Sequence, residues 1–335
     1  MFQVLENQND QELIFYKSIF RDIHSDPQYV RIYDRIQWGK ALFFYIEDSL
    51  GFIAFPFYIF YRKLEQITVK EVRSIYGYTS FLSDSEISCS RLLNAMKAFV
   101  NWCESENICV GSLVLDPRLN QFLADIPSEW LSRQKSVFSL DGPRMDWNRQ
   151  KFCKKAAADA RYFFKTGCVD LVDGIDMDIS LFDEMYRKTM DRVEAADRWY
   201  WPMQYWETLS ASGNEFDCKF AVASTDGEPR LVSMFIGANS TFYYHFSASQ
   251  GMPTRGASAA AFFRLSDYAF ERGASRVHLG GGVNSLETNP LARFKRSLSN
   301  VVEDLYLLKL VIDGDAYLKA GGVNDDSFFP RYEFV

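Results

Sequence analysis

The chain has 335 residues, of which 47% are hydrophobic and 24% are charged, and its formal net charge is -7. The apolar fraction is sufficient for a folded core, which excludes a globally disordered chain, and the length fits two domains or one large one. A pI near 5.2 argues against a large surface that coats nucleic acid, although it is compatible with a local basic groove.

Cysteine and histidine usage gives no metal motif. The six cysteines contain no C-x-x-C pair and the three histidines no H-E-x-x-H motif, so we predict no metal site and reduced thiols. The first residues lack the basic and apolar regions of a signal peptide, and the longest apolar run is about half of the roughly 18 residues that a spanning helix needs. We therefore expect a cytoplasmic protein without a membrane span.

The first half, residues 1–144, is predicted to combine strand hairpins with one long amphipathic helix. Apolar residues recur with helical spacing in that helix, and the strand segments are rich in aromatic and β-branched residues. The predicted elements are, in chain order, a helix over 10–20, strands over 41–46, 52–61 and 71–75, a helix over 90–106, and strands over 110–115 and 134–140.

Residues 145–167 are polar and rich in lysine and arginine, with cations at Lys151, Lys154, Lys155, Arg161 and Lys165. We interpret them as a connecting helix that ends at Gly167, because glycine is the usual residue just past a helix end. The cations form either a solvated helix face or the positive lining for a phosphate-bearing ligand.

The second half, residues 168–335, repeats the order of elements. Asp226-Gly227 and Asn239-Ser240 are hairpin signals, and Gly273 is placed to end a helix. We therefore predict an α+β fold with a mixed sheet, used twice. The predicted elements are a strand over 168–172, helices over 181–193 and 203–211, strands over 219–224, 230–237 and 241–247, a helix over 256–272, and strands over 276–279 and 305–311.

The segment Thr254-Arg255-Gly256-Ala257-Ser258 precedes a predicted helix. The free N–H groups and the dipole of a helix start favour an anion, Gly256 permits close backbone approach, and Arg255 adds charge. The alternative is an ordinary strand-to-helix turn. Neither a Walker A motif nor G-x-G-x-x-G is present, which disfavours P-loop kinases and Rossmann dehydrogenases.

Two further segments could take part in chemistry. Gly280-Gly281-Gly282-Val283-Asn284 follows a strand, and three glycines suit either a loop that approaches a ligand or a simple bulge. In Leu291–Ser297, three cations flank one aromatic residue. They form either a solvated basic patch or a site where Lys295 stabilises an oxyanion or a phosphate.

Aromatic and histidine residues give weaker signals. Thr189–Arg192 and Arg198–Pro202 place arginine beside aromatic rings, which suits either a ligand wall or core packing. His245 lies on a strand, where a buried histidine with satisfied hydrogen bonds is the simpler interpretation than a general base. No Ser/His/Asp order is recognisable.

Together these segments resemble the FemAB-like, or BioF2-like, branch of the GNAT acyltransferases. The resemblance covers most of residues 27–335 and is most specific in the second half. The matching segments are Tyr76-Gly77-Tyr78, Tyr186 to Arg192 with Tyr200, the strand 243–247, the loop and helix 256–273, His278–Gly282, Leu291–Ser297 and Phe328–Tyr332.

The resemblance implies two tandem GNAT-like domains, over residues 1–144 and 168–335, with a ligand cleft where strands separate. It implies transfer of an acyl or aminoacyl group to an amine, with Lys295 near the reacting carbonyl as the catalytic residue. The residues expected to bind the co-substrate are Arg255, Gly256, Ala257 and Ser258. Those expected to bind the acceptor are Arg192, Tyr200, Trp201, Tyr76, Tyr78, His245, Gly281, Gly282 and Arg296.

The usual GNAT pyrophosphate loop is not reproduced cleanly over residues 250–257, because its spacing differs. We expect an acyl-CoA co-substrate, no tightly bound cofactor, and a small-molecule amine acceptor that can carry a phosphate. The acceptor would be a cell-envelope, sugar-nucleotide or natural-product intermediate. One alternative is aminoacyl-tRNA as the donor, and another is a non-catalytic binding module of the same fold. DNA is not an expected partner, and the sequence leaves the oligomeric state open.

Overall fold

The computed structural model describes residues 2–6, 22–36, 39–64, 67–143, 146–211, 216–252, 254–282, 289–322 and 329–330. The chain divides into two compact units. Unit 1 comprises residues 1–20, 24–135 and 304–335, and unit 2 comprises residues 21–23 and 136–303. The predicted helix over residues 10–20 lies outside the described residues, as do Val283, Asn284 and most of the terminal motif at 328–332.

Unit 1 contains a mixed sheet in the order β1-β2-β3-β4-β6-β13, with the short β5 paired to β3. The β4–β6 pair is parallel and the other pairs are antiparallel. The strands are β1 (Phe2–Glu6), β2 (Lys40–Asp48), β3 (Gly51–Lys63), β4 (Thr68–Arg73), β5 (Leu82–Ser83), β6 (Val110–Val114) and residues 304–311 of β13 (Val301–Val311).

The helices of unit 1 include one long helix that covers the sheet. They are α1 (Pro27–Val30), α2 (Ile32–Arg35), α3 (Cys89–Ser105) and α9 (Gly314–Lys319). The Ser88 side chain caps α3 by accepting a hydrogen bond from the Arg91 amide. Apolar residues at helical spacing along α3, among them Met96 and Phe99, pack against Phe44 and Phe55 of the hairpin. Burial of this stripe explains why the segment forms a helix.

Unit 2 contains a second mixed sheet in the order β7-β12-β11-β10-β9-β8, in which the β11–β12 pair is parallel. The other neighbouring pairs are antiparallel. The strands are residues 136–141 of β7 (Leu131–Asp141), β8 (Gly167–Asp173), β9 (Asp217–Thr225), β10 (Glu228–Ala238), β11 (Thr241–Ser249) and β12 (Arg276–Gly281).

The helices of unit 2 are α4 (Lys154–Phe163), α5 (Ile179–Arg192), α6 (Met203–Ser210), α7 (Ala257–Glu271) and α8 (Pro290–Arg296). Buried alanines on α4 and α7 let these helices approach each other over the sheet core. Large aromatic side chains from α5, α6 and β11 form a separate cluster that includes Phe182, Trp206 and Phe246. The sheet is therefore covered by α7, which contributes alanines together with Phe262, and by the rings of α5 and α6.

The structure differs from the predicted division into 1–144, 145–167 and 168–335, because strands from each half of the sequence complete the other unit. Residues 136–141 belong to unit 2, and residues 304–311 belong to unit 1. These two segments pair antiparallel with β12 and β6, respectively. The local sequence of each segment predicts a strand, but it does not indicate which distant strand will be its partner.

The predicted connecting helix is shorter than expected. A 3₁₀ turn over Trp147–Arg149 precedes α4, and α4 ends with Phe164 as its C-cap. Gly167 does not cap the helix and is the first residue of β8. A Cβ there would lie 2.7 Å from the Ser224 carbonyl oxygen and 2.6 Å from the Phe163 ring, so the glycine permits close strand packing. No helix within the described part of the chain is long and apolar enough to cross a membrane.

Candidate active site

The β11 and β12 strands of unit 2 separate after a short parallel ladder. The ladder pairs Thr241 with Arg276, Phe242 with Val277 and Tyr243 with His278, and it does not continue through the described remainder of either strand. Both strands bulge within two residues of the last pair. His245 is the extra residue of β11 against β10, and Leu279 is the extra residue of β12 against β7. Bulges bend strands, so they account for this separation, which we call the β11–β12 opening.

Lys295 is held at the end of β12. The Asn289 side chain caps α8 by accepting hydrogen bonds from two amides of its first turn, and Pro290 occupies that turn. Lys295 Nζ, on the last turn, donates to the Gly281 carbonyl oxygen at 2.9 Å. The residue is half-buried. The ammonium is thus fixed next to the part of β12 that lies beyond the ladder.

The glycines after His278 allow this arrangement. Gly280 has φ +69°, in the left-handed region that favours glycine. A Cβ on Gly282 would lie 2.9 Å from Ala292 Cβ on α8, so the small residue lets the helix lie close to the strand. The predicted glycine segment therefore positions Lys295, and Arg296 is an exposed residue of the same helix.

A buried polar cluster lies at the last rung of the ladder. The Tyr243 hydroxyl donates a short hydrogen bond to the Asp22 carboxylate, and both residues are buried. The Tyr243 ring lies against the His278 ring at 5.4 Å. The Gly280 amide donates to His278 Nδ1 at 2.9 Å, so the proton of the neutral ring is on Nε2.

His245, in the bulge, contacts the aromatic cluster from α6. Its Nε2 lies 3.0 Å from the Tyr205 hydroxyl, and its ring meets Phe246 edge-on at 4.4 Å. Tyr205 is fully buried and stacks on Trp201 with ring centroids 4.1 Å apart. The predicted acceptor residues Trp201 and His245 are therefore joined through Tyr205. Sequence reasoning missed Tyr205, although an aromatic residue in the first turn of the predicted helix over 203–211, close to Trp201, was a usable signal.

The predicted anion site at the start of α7 is packed against α4. Gly256 has φ +82°, and a Cβ there would lie 2.0 Å from the Asp159 carbonyl oxygen. Arg255 Nε donates to the Asp159 carboxylate at 2.9 Å and its guanidinium lies over the Tyr162 ring. The Ala257 side chain is fully buried, and Ser258 is half-buried. The close approach that Gly256 permits is thus to the chain itself.

Arg192 and Tyr200 make contacts near the loop that precedes α7. Arg192 donates to the Gly251 carbonyl oxygen at 2.6 Å and to Ser249 Oγ at 2.9 Å. Tyr200 donates to the Asp191 carboxylate at 2.7 Å, and this hydrogen bond raises the pKa of Tyr200. Arg192 therefore fixes the end of β11 and the chain that follows it.

Tyr76 and Tyr78 belong to unit 1. The Tyr29 hydroxyl donates to the Tyr76 carbonyl oxygen at 2.7 Å, and the Tyr78 ring lies edge-on to His24 at 5.3 Å. A Cβ on Gly77, at φ +115°, would lie 2.0 Å from His24 Nε2, so the turn is tightly packed. Of the predicted site residues, the structure places Lys295, Gly281, Gly282, His245 and Trp201 around the separating strands of unit 2, with Tyr76 and Tyr78 in the other unit.

Metal ligands do not cluster in the described part of the chain: no group of three or more His, Cys, Asp or Glu side chains there could hold a metal ion. The six cysteines all fall within that part and are free thiols.

Comparison with known proteins shows the fold. No protein-family model and no curated protein matches the chain. The crystal structure of FemX is similar at 11% identity and a TM-score of 0.68, covering 96% of this chain and 100% of that one. L-PGS from Bacillus licheniformis has 11% identity and a TM-score of 0.57, covering 92% and 93%. A tandem GNAT protein of the clavulanic acid pathway has 9% identity and a TM-score of 0.54, covering 93% and 98%. The predicted tandem GNAT-like fold is confirmed.

Proposed function

We propose that the protein transfers an acyl or aminoacyl group from an activated carrier to a primary amine, at the β11–β12 opening. The observation that carries this proposal is the position of Lys295, whose Nζ is fixed 2.9 Å from the Gly281 carbonyl oxygen beside that opening. A fixed ammonium stabilises negative charge that develops on a carbonyl oxygen during attack.

The proposed reaction has three steps. The amine attacks the carbonyl carbon of the donor, a tetrahedral oxyanion forms near Lys295, and the thiol or hydroxyl of the carrier leaves. Positioning of the two substrates between separated strands supplies much of the rate, because it replaces a random encounter in solution. Lys295 supplies the charge stabilisation.

The leading donor is an acyl thioester of CoA, and the leading acceptor is the amine of a cell-envelope, sugar-nucleotide or natural-product intermediate. Gly256 is the N-cap of the 15-residue helix α7, whose dipole favours a phosphate. The fold is also similar to that of a tandem GNAT protein from the clavulanic acid pathway, and a CoA thioester donor is compatible with that similarity.

The second candidate donor is an aminoacyl-tRNA, and one observation favours it. The Asp159 carboxylate pairs with Arg255 at 2.8 Å, and the Asp159 carbonyl oxygen faces Gly256. Both oxygens oppose an anion at the start of α7 and reduce the affinity expected for a CoA pyrophosphate there. The similarity to FemX and to L-PGS is compatible with this donor.

The test of the proposed function is a product assay. Purified protein is incubated with acetyl-CoA, longer acyl-CoAs or aminoacyl-tRNA and with amino-sugar nucleotides as acceptors, and products are detected by mass spectrometry. We expect Lys295→Ala to lower turnover by ~100-fold, the effect of losing one oxyanion-stabilising donor. Arg293→Ala, an exposed cation on the same helix, is the matched control and should stay within about twofold.

The outcomes separate the candidates. Unchanged turnover in Lys295→Ala removes Lys295 from the mechanism. Thermal stabilisation by a ligand with no product from any pair indicates a binding module. Binding of tRNA that weakens steeply with salt supports the RNA-borne donor. If CoA binds at the start of α7, Asp159→Asn should tighten its binding severalfold.

A further inference from the structure

We propose that the exposed side of α4 binds the surface of a membrane that contains anionic phospholipids. The proposal concerns the exposed cations and rings of residues 151–165, which we call the basic face. It goes beyond the proposed transfer reaction and does not depend on it. The sequence allowed two interpretations of these cations, a solvated helix face or the lining for a phosphate-bearing ligand. The arrangement of the charges, their lack of partners and the rings among them favour a ligand.

The charges of α4 lie on one side of the helix. Lys154 and Arg161 are seven residues apart, as are Lys155 and Tyr162, and this spacing aligns each pair along the helix axis. All four side chains are exposed. The opposite side of the helix is buried and consists of three alanines and Phe163. The helix therefore packs through its apolar side and presents its cations outward.

The positive charge of this segment contrasts with the rest of the chain. Residues 151–166 contain five cations and one carboxylate, a formal charge of +4, and the whole chain carries -7, so the other residues carry -11. The one carboxylate, Asp159, pairs with a further cation, Arg255, at 2.8 Å. An anionic surface would therefore attract the basic face and repel most of the molecule, which selects one binding orientation.

The lysine ammonium groups of the basic face are available to a ligand. Four exposed lysines have no ion-pair partner among the residues that the structure describes: Lys151, Lys154, Lys155 and Lys165. By contrast, Lys188, an exposed lysine of α5, pairs with Glu184 at 2.5 Å. Clusters of about four to eight lysines and arginines on a helix surface are typical of sites that bind anionic lipid headgroups.

Two exposed rings lie among these cations. Tyr162 is 50% exposed, and Phe164, whose side chain has no polar atom, is 46% exposed. Aromatic rings beside cations are typical of proteins that lie on a membrane. The ring enters the boundary between headgroups and acyl chains, while the lysines reach the phosphates. The rings therefore favour a ligand that has an apolar layer beside its phosphates.

A lipid surface fits the basic face better than an RNA does. The Arg255 guanidinium lies 4.5 Å from the centroid of the Tyr162 ring, so this side of the ring is not open to a stacked base. Four of the five cations in residues 151–166 are lysines, which lack the planar fork with which arginine holds nucleic-acid phosphates. The proposed ligand is therefore the phosphate layer of a membrane, and RNA is the rival that the experiments have to exclude.

Sedimentation with vesicles tests the proposal on the full chain. We expect the protein to sediment with vesicles of phosphatidylcholine and phosphatidylglycerol, and to stay in the supernatant with phosphatidylcholine alone. Binding should weaken as the salt concentration rises, because screening shortens the range of the charges. Failure to bind the phosphatidylglycerol vesicles at low salt would overturn the proposal, whether or not transfer activity has been detected.

A double variant, Lys154→Gln with Lys155→Gln, tests the basic face itself. Each lysine near an anionic surface strengthens binding about fivefold, so this variant should lower the vesicle partition coefficient by about 25-fold. The matched control, Lys97→Gln with Lys319→Gln, removes the same charge from exposed positions of α3 and α9 and should change the coefficient by less than about twofold. Equal losses in the two double variants would overturn the proposal, because net charge alone would then explain the binding.

Phe164→Ser distinguishes a membrane from an RNA. Loss of the ring should lower vesicle binding by about fivefold, because an inserted ring contributes by leaving water. Leu318→Ser, at an exposed position of α9, should have no effect. Circular dichroism of each variant checks that the fold is retained. Unchanged vesicle binding by Phe164→Ser would overturn the membrane assignment, as would binding of tRNA in a gel-shift assay without binding of vesicles.

Discussion

The two units contain the same short parallel ladder but treat its end differently. In unit 1, β4 and β6 pair over three residues, and in unit 2, β11 and β12 also pair over three. A long helix, α3 or α7, connects each parallel pair, and an antiparallel strand, β13 or β7, follows on the far side of β6 or β12. The predicted repeated order of elements corresponds to this shared plan.

In unit 1 the chain after β4 returns to β6. The Thr79 amide donates to the Val114 carbonyl oxygen and the Asp116 amide donates to the Thr79 carbonyl oxygen. Ser74 Oγ accepts from the Val114 amide at 2.6 Å and contacts Thr79 Oγ1. These hydrogen bonds join the chain after β4 to the end of β6. The corresponding position in unit 2 is the β11–β12 opening. Bulges and glycines, rather than the topology that the two units share, therefore create the β11–β12 opening.

The helix starts differ in the same sense. In unit 1 the Ser88 side chain caps α3, and the Arg91 side chain in the first turn of that helix is buried. In unit 2 the N-cap is Gly256, without a side-chain cap. The first turn of α3 in unit 1 thus has a side-chain hydrogen bond. The first turn of α7 in unit 2 has none, and its N-cap Gly256 packs against the backbone of α4. Four substitutions test this contrast, from the largest expected effect to the smallest.

Arg91→Met should destabilise unit 1 by about 3 kcal/mol, because Arg91 is buried and binds Asp48 in two places together with Ser85 Oγ and the Glu86 carbonyl oxygen. Urea unfolding monitored by circular dichroism measures the loss. Lys97→Met, at an exposed position of the same helix, should change the free energy of unfolding by under ~0.5 kcal/mol. Equal effects of the two variants would contradict an anchoring role for Arg91.

Gly256→Ala should lower the free energy of unfolding by roughly 2–3 kcal/mol. The substitution places an alanine at a left-handed φ and brings its Cβ into a clash with the Asp159 carbonyl oxygen. Gly273→Ala is the matched control at the other end of α7. Its φ is +89° and a Cβ there meets nothing within 4 Å, so it should cost only about 1 kcal/mol. The Tm of both variants, measured by thermal unfolding, tests this difference. Equal shifts in Tm would show that α4 moves away from the new Cβ without loss of stability.

Ser74→Ala should lower the free energy of unfolding by about 1–2 kcal/mol and separate the strands at the end of the unit 1 ladder, because the half-buried Val114 amide loses its acceptor. Hydrogen exchange of residues 110–115 should accelerate. Ser105→Ala, an exposed serine that bonds within α3, should leave that segment unchanged. Unaltered exchange in Ser74→Ala would show that this closure does not depend on the serine.

Asp48→Asn should give the smallest effect and a pH-dependent one. The hydrogen bond from Arg91 lowers the pKa of Asp48 below its ordinary value, so its contribution is present above about pH 4 and is lost as the pH falls through the folded-state pKa. The Asp48 side chain is 42% exposed, so we expect under about 1 kcal/mol at pH 7.

Unfolding free energies at pH 7, 5 and 3 test this sign. The difference in unfolding free energy between wild type and Asp48→Asn should become smaller on acidification. For Asp125→Asn, at an exposed position, that difference should not change with pH in this way. A gap that widens towards acid would contradict the assigned role of the pair.

Much of the fold was predictable because its signals are local. The hairpin over 41–61, the amphipathic helix near 90–106 and the turns at Asp226-Gly227 and Asn239-Ser240 appear within a few residues of their predicted positions. Hydrophobic periodicity and turn chemistry depend on neighbours in the chain, which a sequence displays directly. Lys295 on α8 was singled out from the cations around Phe294 and from the family resemblance, and its catalytic role stays a prediction.

The order of elements, the mixed α+β class and a short list of candidate residues could be inferred from the sequence. The folded chain was needed to show that His245 lies in a bulge against Tyr205, that Arg255 pairs with Asp159, and that residues 136–141 and 304–311 each complete the sheet of the other sequence half. The physical reason is separation along the chain: these contacts join residues 40 to about 200 positions apart, and no local pattern of hydrophobicity or charge specifies which distant partner wins.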